Sequence, residues 1–174
     1  MLKLQNSKQN LRSIRRMKIK IKIVSIIIWI MFLTFLVRMF VAYPSLPSEI
    51  GVHFSEDGSF DVIASKRFAW YPYVVSVIVL LLGGLFDFLI GKIKVGFRVT
   101  QVGEEQIKNV VRVFLIAIKT GTVIFFSGIW ADCVIRQQNL NTTLTGVIAF
   151  IYLLTIIAFL IAVVAVRAKN GRKE

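Results

Sequence analysis

Four long runs of apolar residues dominate the chain, and short polar segments separate them. The runs cover approximately residues 23–42, 72–90, 110–135 and 144–166. A bilayer core about 30 Å thick is crossed by roughly 20 apolar residues in a helix, so each run has the length of a membrane span. None of the runs shows the alternation of a transmembrane β-strand. The pattern therefore predicts an all-α fold, an integral membrane four-helix bundle.

Composition agrees with this pattern. Of the 174 residues 56% are hydrophobic, and the mean hydropathy is +0.74; soluble domains have roughly 45–50% apolar residues. The first run is too long for the core of a signal peptide, so we interpret it as a retained helix. We expect a single membrane domain over residues 23–166, which includes an outer loop at 43–71. A basic arm at 1–22 precedes the domain and a basic tail at 167–174 follows it.

The net charge of +13 is unevenly distributed. Seventeen Lys and Arg residues lie in three segments expected on one side of the membrane, at 1–22, 92–112 and 167–173. Three lie on the other side: Lys66, Arg67 and Arg136. Because basic loops stay in the cytoplasm, both termini are predicted to be cytoplasmic and the loop at 43–71 extracellular. The basic arm has no interleaved aromatic residues, so we expect the lipid bilayer as a partner and no nucleic acid.

The outer loop holds an unusual amount of polar chemistry. Residues 46–66 read LPSEIGVHFSEDGSFDVIASK and contain the only histidine, His53, with four of the nine acidic residues. The segment 50–54 is predicted to be extended, and 56–59 to be a turn with Gly58 at positive φ. Several apolar residues accompany them, so we expect an ordered cap folded over the helix ends rather than a slack loop.

Histidine among carboxylates is a candidate for metal binding or acid–base chemistry. Glu49, Asp57 and Asp61 lie near His53 in the sequence. Their spacing matches no metal motif, and no nucleophile motif or phosphate-binding glycine loop is present. We therefore expect no cofactor, no metal and no enzymatic activity, and a structural role for these side chains. A metal-dependent membrane enzyme remains an alternative.

Four ionisable residues lie inside the predicted helices or at their ends. Such groups are costly in a membrane and are functional candidates. Asp87 and Lys119 are expected to approach each other if the second and third helices are neighbours, and Arg38 and Asp132 are expected to do so between the first and third. Two interpretations remain: the four residues fix helix packing, or Asp87 and Lys119 belong to a proton or substrate path.

The outer loop resembles domain-of-unknown-function family 1648. That family has the approximate pattern Leu-Pro, then Ile-Pro-x-His-Phe-Asn, then Gly-x-x-Asp, then Lys, between two membrane helices. The loop departs from the pattern at Gly51, where proline is usual, and at Ser55, where asparagine is usual. The matching residues are Leu46, Pro47, Ile50, His53, Phe54, Gly58, Asp61 and Lys66.

The resemblance implies a relationship to SdpI-like bacterial immunity proteins. Those proteins lie in the cytoplasmic membrane, protect the producing cell from its own secreted toxin, and can report the toxin to a regulator inside the cell. The resemblance covers the first helix, the loop and the second helix. It implies a bacterial membrane protein that binds a peptide or toxin non-covalently. The implied binding residues are His53, Asp61, Pro47, Phe54, Gly58 and Lys66. The alternative is a small transporter, or a subunit of one, that uses Asp87 and Lys119.

Overall fold

The computed structural model describes the backbone of residues 2–93 and 101–170 and the side chains of residues 16–93 and 103–168. The middle of the predicted basic inner loop, at 94–100, lies outside the described residues, as does the end of the basic tail at 171–174. The described part is mostly helical. It contains four helices that are long and apolar enough to cross a membrane, as the sequence pattern predicts.

The helices extend beyond the apolar runs from which they were predicted. The first begins in the basic arm, because Lys, Arg, Leu and Gln favour the helical conformation even where they are polar. The third is uninterrupted over three successive segments, α3, a π-helical segment and α4. The bounds are α1 Leu2–Ala42, α2 Tyr71–Lys92, α3 Gln101–Thr122, the π-helical segment Val123–Trp130, α4 Ala131–Arg136 and α5 Thr142–Asn170.

The predicted outer loop contains a β-hairpin between two short 3-10 helices. Strands β1, Glu49–Phe54, and β2, Phe60–Ser65, pair antiparallel. The extended segment and the turn are confirmed, and Gly58 has φ +84° as expected. Strand β2 was not predicted, so the loop is more regular than the sequence indicated. We call the end of the helices that carries this hairpin the hairpin end, and the other the terminal end.

Helix α3 is the centre of the helical packing. It contacts α1, α2 and α5, whereas α5 packs chiefly against α3. Small residues allow close approach of helices in membranes. Three glycines lie against side chains: Gly83 on Lys119, Gly121 on Tyr152 and Gly128 on Phe35. Gly84 faces open space.

The π-helical segment joins the third span to both of the first two. Its hydrogen bonds run from residue i to i+5, which changes the direction in which later side chains point. Within it, the buried Ser127 hydroxyl donates to the Ser76 hydroxyl of α2 at 2.8 Å. Beyond it, Asp132 pairs with Arg38 of α1. Through this segment the third span contacts α2 at Ser127 and α1, further along, at Asp132.

The hydrophobic core is concentrated at the hairpin end. Its most buried members come from α1, the hairpin, α2, the π-helical segment and α4: Met39, Ile50, Leu80, Val123 and Val134. The hairpin thus contributes to the core of the helical domain. It is fixed in place by apolar burial as well as by its hydrogen bonds.

Candidate functional site

The hairpin, residues 49–65, is hydrogen-bonded to the connection that leads from α4 to α5. The Gly51 N–H donates to Gln137 Oε1 at 2.9 Å. Near the turn, the Leu140 N–H donates to the Gly58 carbonyl at 2.8 Å. We call the hairpin held in this way the hairpin cap. Its two attachment points lie near opposite ends of the hairpin, so both ends are restrained.

A third attachment lies where β2 leads back into the helices. The Lys66 Nζ lies 5.2 Å from the centre of the Tyr43 ring, within the range of a cation–π interaction. Tyr43 follows α1 directly, and its ring packs beside Trp70 at 5.3 Å. The two polypeptide segments that connect the hairpin cap to α1 and α2 are therefore joined to each other.

Glycine at position 51 allows an aromatic ring to lie directly on the backbone of β1. A Cβ atom at this position would lie 2.2 Å from Phe60 Cγ, which is closer than any real contact. The Phe60 ring is stacked on Phe54 with ring centres 4.4 Å apart, and Phe54 meets Trp130 edge-on at 5.6 Å. An aromatic column thus runs from the hairpin cap to the π-helical segment.

A recess lies beside this column at the hairpin end. Its volume is about 320 Å³, near the lower end of the roughly 300–1,000 Å³ typical of ligand pockets. We call it the hairpin recess. Aromatic rings and one acidic side chain face it, a composition that suits an apolar group with a nearby positive charge. Its lining includes Phe54, Glu56, Gly58, Phe125, Trp130 and Thr142.

The predicted polar centre of the loop is present as a cross-strand pair. His53 Nδ1 and Asp61 Oδ1 lie 2.6 Å apart, and both side chains are exposed. Val62 and Ile63 are exposed beside them on β2. The pair lies outside the lining of the hairpin recess. His53 and Asp61 therefore link the two strands and leave polar groups exposed at the surface of the hairpin cap.

The turn of the hairpin is organised around one carboxylate. Asp57 accepts hydrogen bonds from the hydroxyl groups of Ser55 and Ser59, the latter at 2.7 Å, and from the Ser59 N–H at 2.9 Å. These donors stabilise the ionised form and lower the pKa of Asp57 from 3.8 to about 2. The negative charge of this turn is therefore present at every physiological pH.

The intramembrane acidic residue Asp87 has a different partner from the expected one. Helices α2 and α3 are neighbours, but Asp87 Oδ1 accepts from Arg112 Nε at 2.9 Å. The planar guanidinium group forms directional bonds to a carboxylate more readily than an ammonium group does. Lys119 is buried with its aliphatic chain against Gly83. Among the described residues, no carboxylate oxygen lies within 4 Å of its ammonium group.

The second expected pair is present. Arg38 donates to Asp132, and Arg136 donates to the same carboxylate at 3.0 Å. Asp132 is thus shared between α1 and α4 at the hairpin end. This arrangement agrees with a role in helix packing, because the carboxylate is charge-compensated on two sides.

The six predicted binding residues do not form one cluster. Phe54 and Gly58 line the hairpin recess, whereas His53 and Asp61 pair on the exposed strands. Lys66 lies over Tyr43. Pro47 is exposed before β1. Within the described part of the chain, no three His, Cys, Asp or Glu side chains come together as metal ligands.

Trp130 and Arg112 are among the residues that matter to these sites and were not singled out from the sequence. Trp130 forms one wall of the hairpin recess, and Arg112 is the partner of Asp87. The sequence gives a signal for Arg112, which lies next to an apolar run and was counted with the basic inner loop. Trp130 gives none, since aromatic residues are common near the ends of membrane helices.

Comparison with protein-family models, with curated proteins and with solved structures gives no match to this chain.

Proposed function

We propose that the chain is a bacterial cytoplasmic-membrane protein that binds an extracellular peptide or membrane-active toxin through the hairpin cap. The hairpin end would face outward and the basic termini the cytoplasm. The resemblance of residues 46–66 to family 1648 proteins, and through them to SdpI-like immunity proteins, motivates the class of ligand. A regulator on the cytoplasmic side is a further expected partner.

One observation carries this proposal: the hairpin cap is held rigidly to the helices and borders a preformed recess. Two hydrogen bonds, from the Gly51 N–H and to the Gly58 carbonyl, restrain it. A surface that is ordered before binding loses less conformational entropy when a ligand arrives. Loops carried on a rigid scaffold are frequent sites of recognition.

The mechanism would be binding and sequestration without covalent chemistry. The aromatic walls of the recess, Phe54, Phe125 and Trp130, suit an apolar side chain of a peptide. Glu56 at its edge suits a basic group, which many membrane-active peptides carry. The exposed His53–Asp61 pair offers hydrogen-bonding groups to the ligand's backbone or polar side chains.

A survival assay tests this function. Sensitive cells would express the intact protein, one of three variants or no protein, and would be challenged with culture supernatant of the source organism. His53→Ala and Asp61→Asn remove the exposed pair, and Trp130→Ala removes a wall of the recess. We expect protection by the intact protein and at least a tenfold loss of survival in each variant at equal membrane abundance.

Glu49→Gln is the matched control. Glu49 is an exposed carboxylate of the same hairpin cap, and it does not line the recess. We expect cells that express Glu49→Gln to survive as well as cells that express the intact protein. If the intact protein protects but every site variant protects equally well, the hairpin cap is not the binding surface. If the intact protein gives no protection, the immunity function is rejected.

The second candidate function is transport, and one observation favours it. The Lys119 side chain is mostly buried near the middle of a span, and its ammonium group has no carboxylate oxygen within 4 Å among the described residues. Charged groups at such depth are often part of ion or substrate paths. This function predicts that Lys119→Gln and Asp87→Asn abolish flux into proteoliposomes while Asp61→Asn leaves flux unchanged.

A further inference from the structure

A second and larger cavity lies between α3 and α5, far from the hairpin cap. Its volume is about 720 Å³. It is lined mainly by Val113, Phe114 and Ala117 of α3 and by Ala158, Phe159 and Ala162 of α5. We call it the α3–α5 groove. Neither of the functions proposed above uses it.

The contact between α3 and α5 is close at one level and leaves a groove at another. Near the middle of the spans Gly121 receives the Tyr152 side chain, where a Cβ would lie 2.1 Å from the hydroxyl. Towards the terminal end the facing positions of α5 are largely alanine. Phe114 and Phe159 stack at 4.3 Å but do not fill the space around them. The groove therefore leaves room for an occupant between the two helices.

The dimensions of the groove match one leaflet of a bilayer. On α3 its lining runs from Gln106 to Ala117. This is roughly 16 Å at 1.5 Å per residue, or half of an approximately 30 Å hydrocarbon core. The groove extends from the terminal end towards the middle of the spans. A lipid acyl chain that enters from the leaflet at the terminal end would follow the same course.

The polarity of the groove is also that of a lipid site. Its polar lining residues Gln106 and Asn109 lie at the terminal end, where a headgroup would lie. The third, Thr155, lies near the middle of α5, and its hydroxyl donates to the Ile151 carbonyl of the same helix. Met17 of α1 borders the same end, and the basic residues Arg16 and Lys20 on either side of it are exposed. Cations at this position favour a phosphate group.

A transmembrane helix does not fit the space. One helical turn with its side chains is roughly 10–12 Å across and 5.4 Å high. A volume of about 720 Å³ therefore accommodates little more than a single turn. The volume and the length of the groove suit an unbranched hydrocarbon chain.

We propose that the α3–α5 groove binds one acyl chain of a phospholipid from the leaflet at the terminal end, with the headgroup phosphate beside the basic residues of α1. The bound chain completes the contact between α3 and α5. It acts as an integral part of the helical packing, unlike the exchanging lipids around the rest of the surface.

Photo-crosslinking tests this site. The full chain would be reconstituted in vesicles of phosphatidylcholine containing phosphatidylglycerol with a diazirine near the end of one acyl chain. Labelled peptides would be mapped by mass spectrometry after irradiation. We expect labelling of Ala158 and Ala162 to exceed that of the outward-facing Leu160 and Ile161 at least fivefold. A second arm with free diazirine palmitate should label the groove less than the phospholipid does.

A matched pair of substitutions removes the groove or spares it. Ala162→Phe fills the space, whereas Ala149→Phe makes the same change at an exposed position of α5 outside the lining. We expect Ala162→Phe to reduce groove labelling at least fivefold and Ala149→Phe to leave it unchanged. Should Ala162→Phe fail to fold, the milder Ala158→Leu replaces it.

Equal labelling of the groove and the outward face of α5 in the intact protein would overturn the proposal. So would unchanged groove labelling in a folded filled variant. Stronger labelling by free palmitate than by the phospholipid would also reject a phospholipid occupant. These readouts are independent of survival assays and of flux, so a failure here is distinguishable from a failure of the proposed functions.

Discussion

The absence of a side chain at Gly51 helps to organise the hairpin cap. Its N–H donates to Gln137, and the space above its Cα is taken by the Phe60 ring. Proline, the residue usual at this position in family 1648, has no N–H to donate. In this chain the position therefore forms an attachment that a proline would not permit.

Asp57 leads to a prediction about pH. Its pKa is lowered from 3.8 to about 2 in the folded chain, so its stabilising effect is complete above pH 3.8 and is lost as pH falls through 2. We expect the Ser59 amide to stay protected from hydrogen exchange down to about pH 3. Asp57→Ala, which removes the side-chain acceptor, should remove this protection at all pH values. Protection that is equal in the variant and the intact protein would contradict the proposed organisation of the turn.

The ion pair between Asp87 and Arg112 leads to a second prediction. Arg112 is mostly buried, whereas Asp87 is about 39% exposed. Breaking a fully buried pair costs roughly 3–5 kcal/mol, and the exposure of Asp87 reduces this to about 1–2 kcal/mol. Asp87→Asn and Arg112→Gln should each lower the free energy of unfolding in detergent by that amount.

The double variant separates pairing from other effects. If Asp87 and Arg112 stabilise the fold through each other, Asp87→Asn with Arg112→Gln should cost less than the sum of the single changes. Strictly additive losses would show that the two side chains act independently. Additive losses would also favour an interaction of Asp87 with Lys119 instead of with Arg112.

At the scale of the elements, the helices were predictable and their irregularities were not. Apolar runs of about 20 residues locate the four spans, because the requirement for internal hydrogen bonds in lipid leaves no other conformation. The extension of α1 into the basic arm was not predicted. The change from apolar to polar residues marks where a helix leaves the lipid, but the helix itself can continue beyond that point. The π-helical segment at Val123–Trp130 was not predicted, because its apolar sequence looks the same as that of a membrane-spanning α-helix.

The candidate site was predictable only in part for a related reason. The sequence places His53, Asp61, Phe54 and Gly58 in one loop, and the first two do pair. The recess also needs Phe125 and Trp130, which are distant in sequence. Their contribution depends on how the third span is packed and turned, and local pattern does not determine this.

The contact of α3 with α5 gives a prediction about helix packing. At Gly121 an added Cβ would meet the Tyr152 hydroxyl at 2.1 Å, whereas at Gly146 it would meet nothing within 4 Å. Overpacking of this kind typically costs about 1–3 kcal/mol. We expect Gly121→Ala to lower the thermal midpoint in detergent and Gly146→Ala to leave it unchanged or raise it slightly. Equal midpoints would indicate that Tyr152 moves aside freely.

At the scale of the whole molecule, an even number of candidate spans predicts both termini on the same side of the membrane. The distribution of basic residues indicates that this side is the cytoplasm. Fusions at the C terminus test the orientation: green fluorescent protein should be fluorescent there and alkaline phosphatase inactive. A phosphatase inserted in the turn at 56–59 should be active. The opposite result would place the hairpin cap in the cytoplasm and would reject the binding of an extracellular ligand.

The dependence of α5 on α3 has a consequence for biosynthesis. Helices α1, α2 and α3 contact one another largely without α5, which follows them in the chain. The nascent chain can therefore assemble a three-helix unit, with the hairpin largely in place, before α5 joins it. A chain that stops before Thr142 would retain most of the interhelical contacts described above.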